Sequence, residues 1–389
     1  MRESCPGLFD GSGKRPVILF VTTEDWYFWT HRSGLASAAI AAGFDVVLAS
    51  RFTHHRARIE ALGITCHPID VHRGARSPLG DVATLVGLAR IIKDTHASLV
   101  HAVALKPILM CLWAVVRVPA PRFCFAVTGL GHLFIAQGMA MRALRWALRP
   151  FLRRLMTHPR STVIAQNADD LAVLERLRLL APERTRLIRG AGVDTDKFLT
   201  SPIPRATIPM VVLPARMLRD KGVIEFIEAV GLLRKQGVAI RAVLVGALDE
   251  ANPTALTKRD LEALCLTHGS EWWHHREDMP GVYAEADIVC LPSYREGLPK
   301  ALLEAASCGR PLVATDVPGC REICRQGESG LLVPPRDAQA LAAALGRLLA
   351  DPDLRARMGQ RAREIVERDF SSEIINAQTL ALYRELCAA

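Results

Sequence analysis

No Cys-x-x-Cys pair occurs in this 389-residue chain, although ten cysteines are scattered from Cys5 to Cys387, with Cys320 and Cys324 the closest two. No His/Cys spacing matches a zinc site, so a cysteine-based metal or redox motif is excluded and reduced thiols are expected. Long apolar runs are missing too. The most apolar candidate span, Ile108 to Val116, is closed off after nine residues by Arg117, too short to cross a bilayer. The opening stretch MRESCPGLFDGSGKRP lacks the apolar core of a signal peptide, which gives the expectation of a cytoplasmic protein. There is no low-complexity segment, and with half the residues apolar and 23% charged the chain reads as folded rather than disordered. Aromatics are only 6% of the residues. No RNP-like aromatic strand, zinc finger or recognition-helix context accompanies the basic residues, so nucleic acid is not an expected partner.

Length argues for two domains of about 180 to 200 residues, because one hydrophobic core rarely serves a chain this long. Charge is uneven: residues 1–200 carry 26 Lys and Arg against 15 Asp and Glu, whereas residues 201–389 carry 23 against 25. The net charge of +9 therefore comes from the first half. A basic first half suits an anionic partner such as a membrane surface or a phosphorylated acceptor; a generally Arg-rich background would give the same count.

From Val17 onward, short β-branched runs alternate with longer helical stretches, the pattern of a parallel sheet covered by helices. Strands are expected at Val17–Thr22, Asp45–Ser50, Ser98–Ala102, Phe123–Thr128 and Thr162–Gln166, with helices such as Arg32–Ala42 and Asp81–Asp94 between them. The proline-rich stretch from Leu199 to Pro209 interrupts both periodicities and reads as a linker. Alternation restarts with Met210–Ala215, Ala239–Gly246, Asp287–Pro292, Pro311–Thr315 and Gly330–Val333. The expected organisation is an α/β protein of two Rossmann-like domains, 1–198 and 210–370, joined by linker 199–209. A closing helix at 371–389 could pack back on the first domain. Ligands of open α/β sheets bind at the carboxyl ends of the strands, so a site is expected in a cleft that the two domains face across.

The most specific stretch is LPSYREGLPKALLEAASCGRP, Leu291 to Pro311. A buried strand ends, a glycine-containing loop carrying Glu296 follows, and Pro299 opens a helix whose dipole suits phosphate or sugar oxygens. Glu304 lies roughly 7.5 Å along that helix, where a carboxylate can accept from two vicinal ribose hydroxyls. Taken alone, either glutamate also fits an ordinary solvated helix-end acid. The second stretch is ARMLRDKGVIEFIEA, Ala215 to Ala229, in which Arg216 and Lys221 follow a strand end. Two such cations can bracket a diphosphate, Arg by a planar fork and Lys as a mobile charge, and can neutralise a departing nucleoside diphosphate.

RMLRDKG, then Gly246 at the end of the next strand, then EGLPKALLEA, in that order, resemble the retaining glycosyltransferases of family four, which have the GT-B fold. QNADD (Gln166–Asp170), GAGVDTDKF (Gly190–Phe198), LPSYREGLP and VPGCREI (Val317–Ile323) are similar to the branch that builds capsule, O-antigen and exopolysaccharide on a lipid carrier. The resemblance runs from about Val17 to the C-terminus. It implies a nucleotide-sugar donor, a UDP-sugar by expectation, and a polyprenyl-diphosphate-linked glycan acceptor. By the same resemblance Arg216 and Lys221 bind the donor diphosphate, Glu304 the ribose, and Glu296 with the backbone of Gly297, Leu298 and Pro299 the transferred sugar and nearby phosphate. Gly246 is placed with the donor. On the other half, Thr128, Gly129 and Gly131 of TGLGH, together with His101, are expected on the acceptor side.

His132 is the leading histidine for a catalytic role, with His31 and His101 as alternatives, and any of them could equally be a structural histidine. TGLGH lacks the third glycine of a dinucleotide fingerprint, so no nicotinamide cofactor is expected. The first loop, TTEDWYFWTHR, has no Gly-Gly, and its aromatics suit either sugar rings or core. Asp194-Thr195-Asp196 looks like a metal-holding Asp-x-Asp but sits in a turn, and no metal is expected because Arg216 and Lys221 supply the positive charge. Met141 to Met156 places Arg142, Arg145, Arg149 and Arg153 on one helical face, with Leu144, Leu148, Leu152 and Leu155 opposite. Such a helix could lie on the inner face of the cell membrane or simply expose its arginines to water. Two other readings are a UDP-N-acetylglucosamine 2-epimerase of the same fold and a catalytically silent nucleotide-sugar-binding subunit.

Overall fold

A computed structural model describes residues 15–71, 78–128, 139–203, 207–250 and 252–388. The β-branched runs become strands because their side chains are buried on both faces, as parallel sheets between helices require. In the first half these are β1 (Val17–Glu24), β2 (Asp45–Arg51), β3 (Thr65–Pro68), β4 (Leu99–Val103), β5 (Arg122–Val127), β6 (Ser161–Ala165) and β7 (Thr185–Leu187). They form one sheet in the order β3-β2-β1-β4-β5-β6-β7, with every pairing parallel. The second sheet contains β8 (Met210–Pro214), β9 (Arg241–Val245), β10 (Ser270–Trp272), β11 (Ile288–Leu291), β12 (Leu312–Thr315) and β13 (Gly330–Val333). Its order is β10-β9-β8-β11-β12-β13, again all parallel. Both sheets are Rossmann-like: strand order runs outward one way, then reverses from the first strand.

The chain forms two compact units, one comprising Met1–Ala191 with Ile375–Ala389 and the other Gly192–Ile374. The division falls before Gly192, not after Phe198 as the sequence suggests. Val193 and Phe198 are buried in the second unit's core, and Val193 forms a bridge with Ser371. Fully buried Arg310 holds the following stretch to the same unit, donating to the carbonyls of Ser201 and Ala286. What reads as a free proline-rich linker is therefore tied down up to Pro202.

Each sheet is covered on both faces. In the first unit, Leu19, Val100 and Phe125 sit in one core layer, while Ile18, Phe20 and Leu99 sit in the other. That second layer also takes in Ile375, Leu380, Leu382 and Tyr383 of the last helix, Ser372–Ala388. In the second unit, the corresponding layers form around Val212 and Val289 on one face and Val211 and Ile288 on the other.

Candidate active site

Strand order in the second sheet reverses between β8 and β11, and in open α/β sheets the crevice at that reversal, beyond the strand carboxyl ends, is where ligands bind. The two loops leaving this point carry the two stretches singled out from sequence. After β8 come Arg216, a 3-10 turn at Arg219–Lys221, and Gly222 in the left-handed region at φ +71°, from which helix α1 (Val223–Lys235) starts. After β11 the loop carries Glu296, Gly297 and half-buried Leu298 to Pro299, which caps α2 (Lys300–Ser307). Pro299 is thus the residue before the first helical position, not the first turn itself.

The loops touch at backbone level. A Cβ at Gly222 would collide with the carbonyl oxygen of Pro292, so glycine is required for this approach as well as for its φ. Tyr294 strengthens the join: its N–H donates to the carbonyl of Asp220 at 2.9 Å, its hydroxyl donates to Glu225 on α1, and the Arg336 guanidinium lies 4.6 Å over its ring. The result is one surface holding both cations and the first glutamate.

Both cations are ion-paired. Lys221 Nζ lies 2.6 Å from Glu296 Oε1, with both side chains mostly buried. Arg216 pairs with Asp249, which follows β9. Asp249 and Tyr294 escaped sequence reasoning because the residues they meet lie far away along the chain. Glu304, on α2, accepts from the Tyr283 hydroxyl at 3.1 Å and lies 3.8 Å from Lys300 Nζ. Burial pushes its carboxyl above the usual range, with Lys300, the Tyr283 hydroxyl and Lys197 pulling the other way.

Gly246 directly follows β9 with both backbone groups engaged: its N–H donates to the His274 carbonyl at 2.7 Å and its carbonyl accepts from Trp272 Nε1 at 2.9 Å. Its amide is thus committed to the fold. Its contribution is the close approach to the Ala215 carbonyl, which a Cβ would strike, beside the Arg216 loop. The segment Leu266 to Pro280, unusual in sequence, supplies β10 and this clasp on Gly246.

In the first unit, Thr128 is half-buried just past the end of β5, while Gly129, Gly131 and His132 lie outside the described residues. His101, expected on the acceptor side, is instead a core residue. Its ring stacks on Phe20 at 5.2 Å, its Nδ1 meets the Tyr383 hydroxyl, and burial aided by Arg32 holds its pKa well below the usual histidine value. His31 stacks on Tyr27 at 4.4 Å. Asp194 caps its own turn, accepting from the N–H groups of Asp196 and Lys197.

The helix Met139–Met156 buries Leu152, Leu155 and Met156. Leu144, on the leucine face of this helix, is 44% exposed, alongside Phe151 at 47% and Trp146 at 80%. Among the described residues, no helix is long and apolar enough to cross a membrane.

Two parallel sheets of Rossmann order, each in its own unit, define the GT-B fold. An Anabaena HepE crystal structure in complex with UDP-glucose matches over 95% of this chain and 99% of its own, at 20% identity and a TM-score of 0.76. The family described as Glycosyl transferases group 1 matches residues 201–365, and Glycosyl transferase 4-like matches residues 17–167. The chain belongs to these glycosyltransferases. It is similar to the Campylobacter jejuni N,N'-diacetylbacillosaminyl-diphospho-undecaprenol alpha-1,3-N-acetylgalactosaminyltransferase, 26% identical over 342 residues, 84% of this chain and 87% of that protein. The Staphylococcus aureus capsular polysaccharide biosynthesis glycosyltransferase CapM is 27% identical over 168 residues, 43% of this chain and 44% of its own.

Proposed function

We propose that this glycosyltransferase moves a sugar from a UDP-sugar to a polyprenyl-diphosphate-linked glycan in surface-polysaccharide synthesis, with retention of configuration and without a metal. The observation that carries this reading is the pairing of the Arg216–Lys221 loop with the Glu296 loop at the strand-order reversal of the second sheet. The lipid-linked acceptor is favoured by likeness to the Campylobacter enzyme, whose name specifies such a substrate.

In this reading the donor diphosphate takes Lys221 from Glu296 and Arg216 from Asp249, and Glu304 accepts from the ribose hydroxyls. Glu296, once released, faces the transferred sugar. The bond from the anomeric carbon to the diphosphate oxygen breaks while a bond to the acceptor hydroxyl oxygen forms on the same face. The hydroxyl proton passes to the departing diphosphate, whose charge the two cations stabilise. Thr128, Gly129, Gly131 and His132 belong to the acceptor half of the proposal.

The enzyme would reach its acceptor peripherally, at the inner face of the cell membrane. The exposed Trp146 and Phe151, flanked by Arg142, Arg149 and Arg153, give that helix an apolar and cationic outer surface suited to an anionic leaflet. The deciding assay is UDP release from a panel of UDP-sugars, with and without a lipid-diphosphate acceptor, for wild type, Lys221→Ala and Glu304→Ala. Acceptor-dependent release lost in both variants supports the transferase. UDP binding with no release for any sugar would overturn it, as would acceptor-independent conversion of UDP-N-acetylglucosamine.

A further inference from the structure

Tyr283 carries a hydroxyl that packing alone does not require. The residue is fully buried, its ring lying against Phe198 at 6.1 Å between centroids. Phenylalanine would fill the same space without desolvating a hydroxyl, which is costly unless a partner is met. The partner is Glu304 Oε2 at 3.1 Å, and since a carboxylate only accepts, the tyrosine donates. On the other side, Lys300 Nζ stands 3.8 Å from Oε1. The terminal torsion of a glutamate is otherwise broad and roughly two-fold, so these two contacts select one carboxylate plane.

We propose that Tyr283 is a positioning residue for nucleoside recognition: its hydroxyl fixes the Glu304 carboxylate in the plane that accepts the donor's vicinal ribose hydroxyls. The inference rests on the reading of Glu304 as the ribose acceptor. Each carboxylate oxygen has two acceptor positions, so Oε2 can keep the tyrosine proton and still take a hydroxyl. A carboxylate oriented before binding loses less freedom when the donor arrives. The same hydrogen bond opposes the burial that raises the Glu304 pKa. Tyr283 lies on the short helix Met279–Glu285, which leads into β11 and so shares the support of the Glu296 loop.

The test compares the affinities of UDP and 2′,3′-dideoxy-UDP for the full chain as wild type, Tyr283→Phe, Glu304→Gln and the double variant. Wild type should favour UDP by about tenfold or more, the scale of a hydrogen bond to a charged group. Tyr283→Phe should cut that preference to roughly threefold by weakening UDP while leaving the dideoxy nucleotide within about twofold. Donor KM should rise with kcat nearly unchanged, and the double variant should bind UDP no more weakly than Glu304→Gln. A Tyr283→Phe protein that keeps the full preference overturns the proposal. So does equal weakening of both nucleotides, which would mark the tyrosine as structural support only. If wild type shows no ribose preference, or Glu304→Gln leaves it intact, the reading of Glu304 falls and this inference falls with it. Tyr283→Phe keeps the ring that the core needs, and the Glu304→Gln arm reads the same coupling from the other partner.

Discussion

Lys221 and Glu296 meet at 2.6 Å although they follow different strands, β8 and β11. The lysine of the proposed donor site is thus already paired, and a bound diphosphate would take the place of Glu296 as its partner, leaving that carboxylate to the transferred sugar.

Replacing Lys221 by Ala should therefore lower kcat by about 10²- to 10³-fold, the usual loss when a group stabilising a leaving charge is removed. Glu296→Gln should separate binding from turnover. UDP should bind as tightly as to wild type or tighter, because Lys221 loses its internal partner, while transfer falls. Calorimetry with UDP beside steady-state transfer rates checks both outcomes.

Burial raises the Glu304 pKa, so acid should impair donor recognition above the ordinary glutamate range. Donor KM should climb as the pH drops through the raised value, and Glu304→Gln should remove that limb. Stability carries the opposite cost. The folded chain holds this proton more tightly than the unfolded one, so Glu304 contributes a loss of stability as pH rises from its unfolded to its folded pKa. Unfolding of Glu304→Gln followed against pH should therefore gain on wild type across that window.

Gly246→Ala would drive a methyl group into the Ala215 carbonyl and displace the strand end that leads into the Arg216 loop. A loss of about 1–3 kcal/mol is expected for such overpacking, read as a lower unfolding midpoint in urea. UDP affinity should weaken alongside, because the loop shifts. Arg216→Ala should weaken UDP without the stability loss.

Vesicle sedimentation tests the outer face of the helix Met139–Met156. Trp146→Ser with Phe151→Ser should reduce binding to vesicles containing anionic lipid, and adding salt should weaken the wild type. Transfer to a short water-soluble acceptor should be unchanged in the same double variant.

The central strands could be read from sequence because they are apolar and β-branched for five or more residues, as in Val17–Thr22 and Met210–Ala215. Three of the four edge strands could not: Thr65–Pro68, Thr185–Leu187 and Ser270–Trp272 are short, partly exposed and lack an apolar run, unlike the fourth, Gly330–Val333. The segments bearing Arg216, Lys221, Glu296 and Glu304 stood out because strand end, glycine and helix start follow one another locally. Partners such as Asp249 and Tyr283 left no local signal, since their role consists only of what they meet in space. His101 was misplaced for a related reason. A histidine in a strand has the same sequence context whether it points at a ligand or, as here, at Tyr383 and Phe20.

The route of the chain through the units also bears on how the protein is made. The second unit is one uninterrupted stretch, Gly192–Ile374, whereas the first needs Ile375–Ala389 to finish. Phe20, Phe44 and His101 are covered by Tyr383, which leaves the ribosome only after the whole of the second unit. The half translated first thus waits for its last core residues while the second unit is made, and until they arrive part of an apolar sheet face stands open to chaperones or to a neighbouring nascent chain.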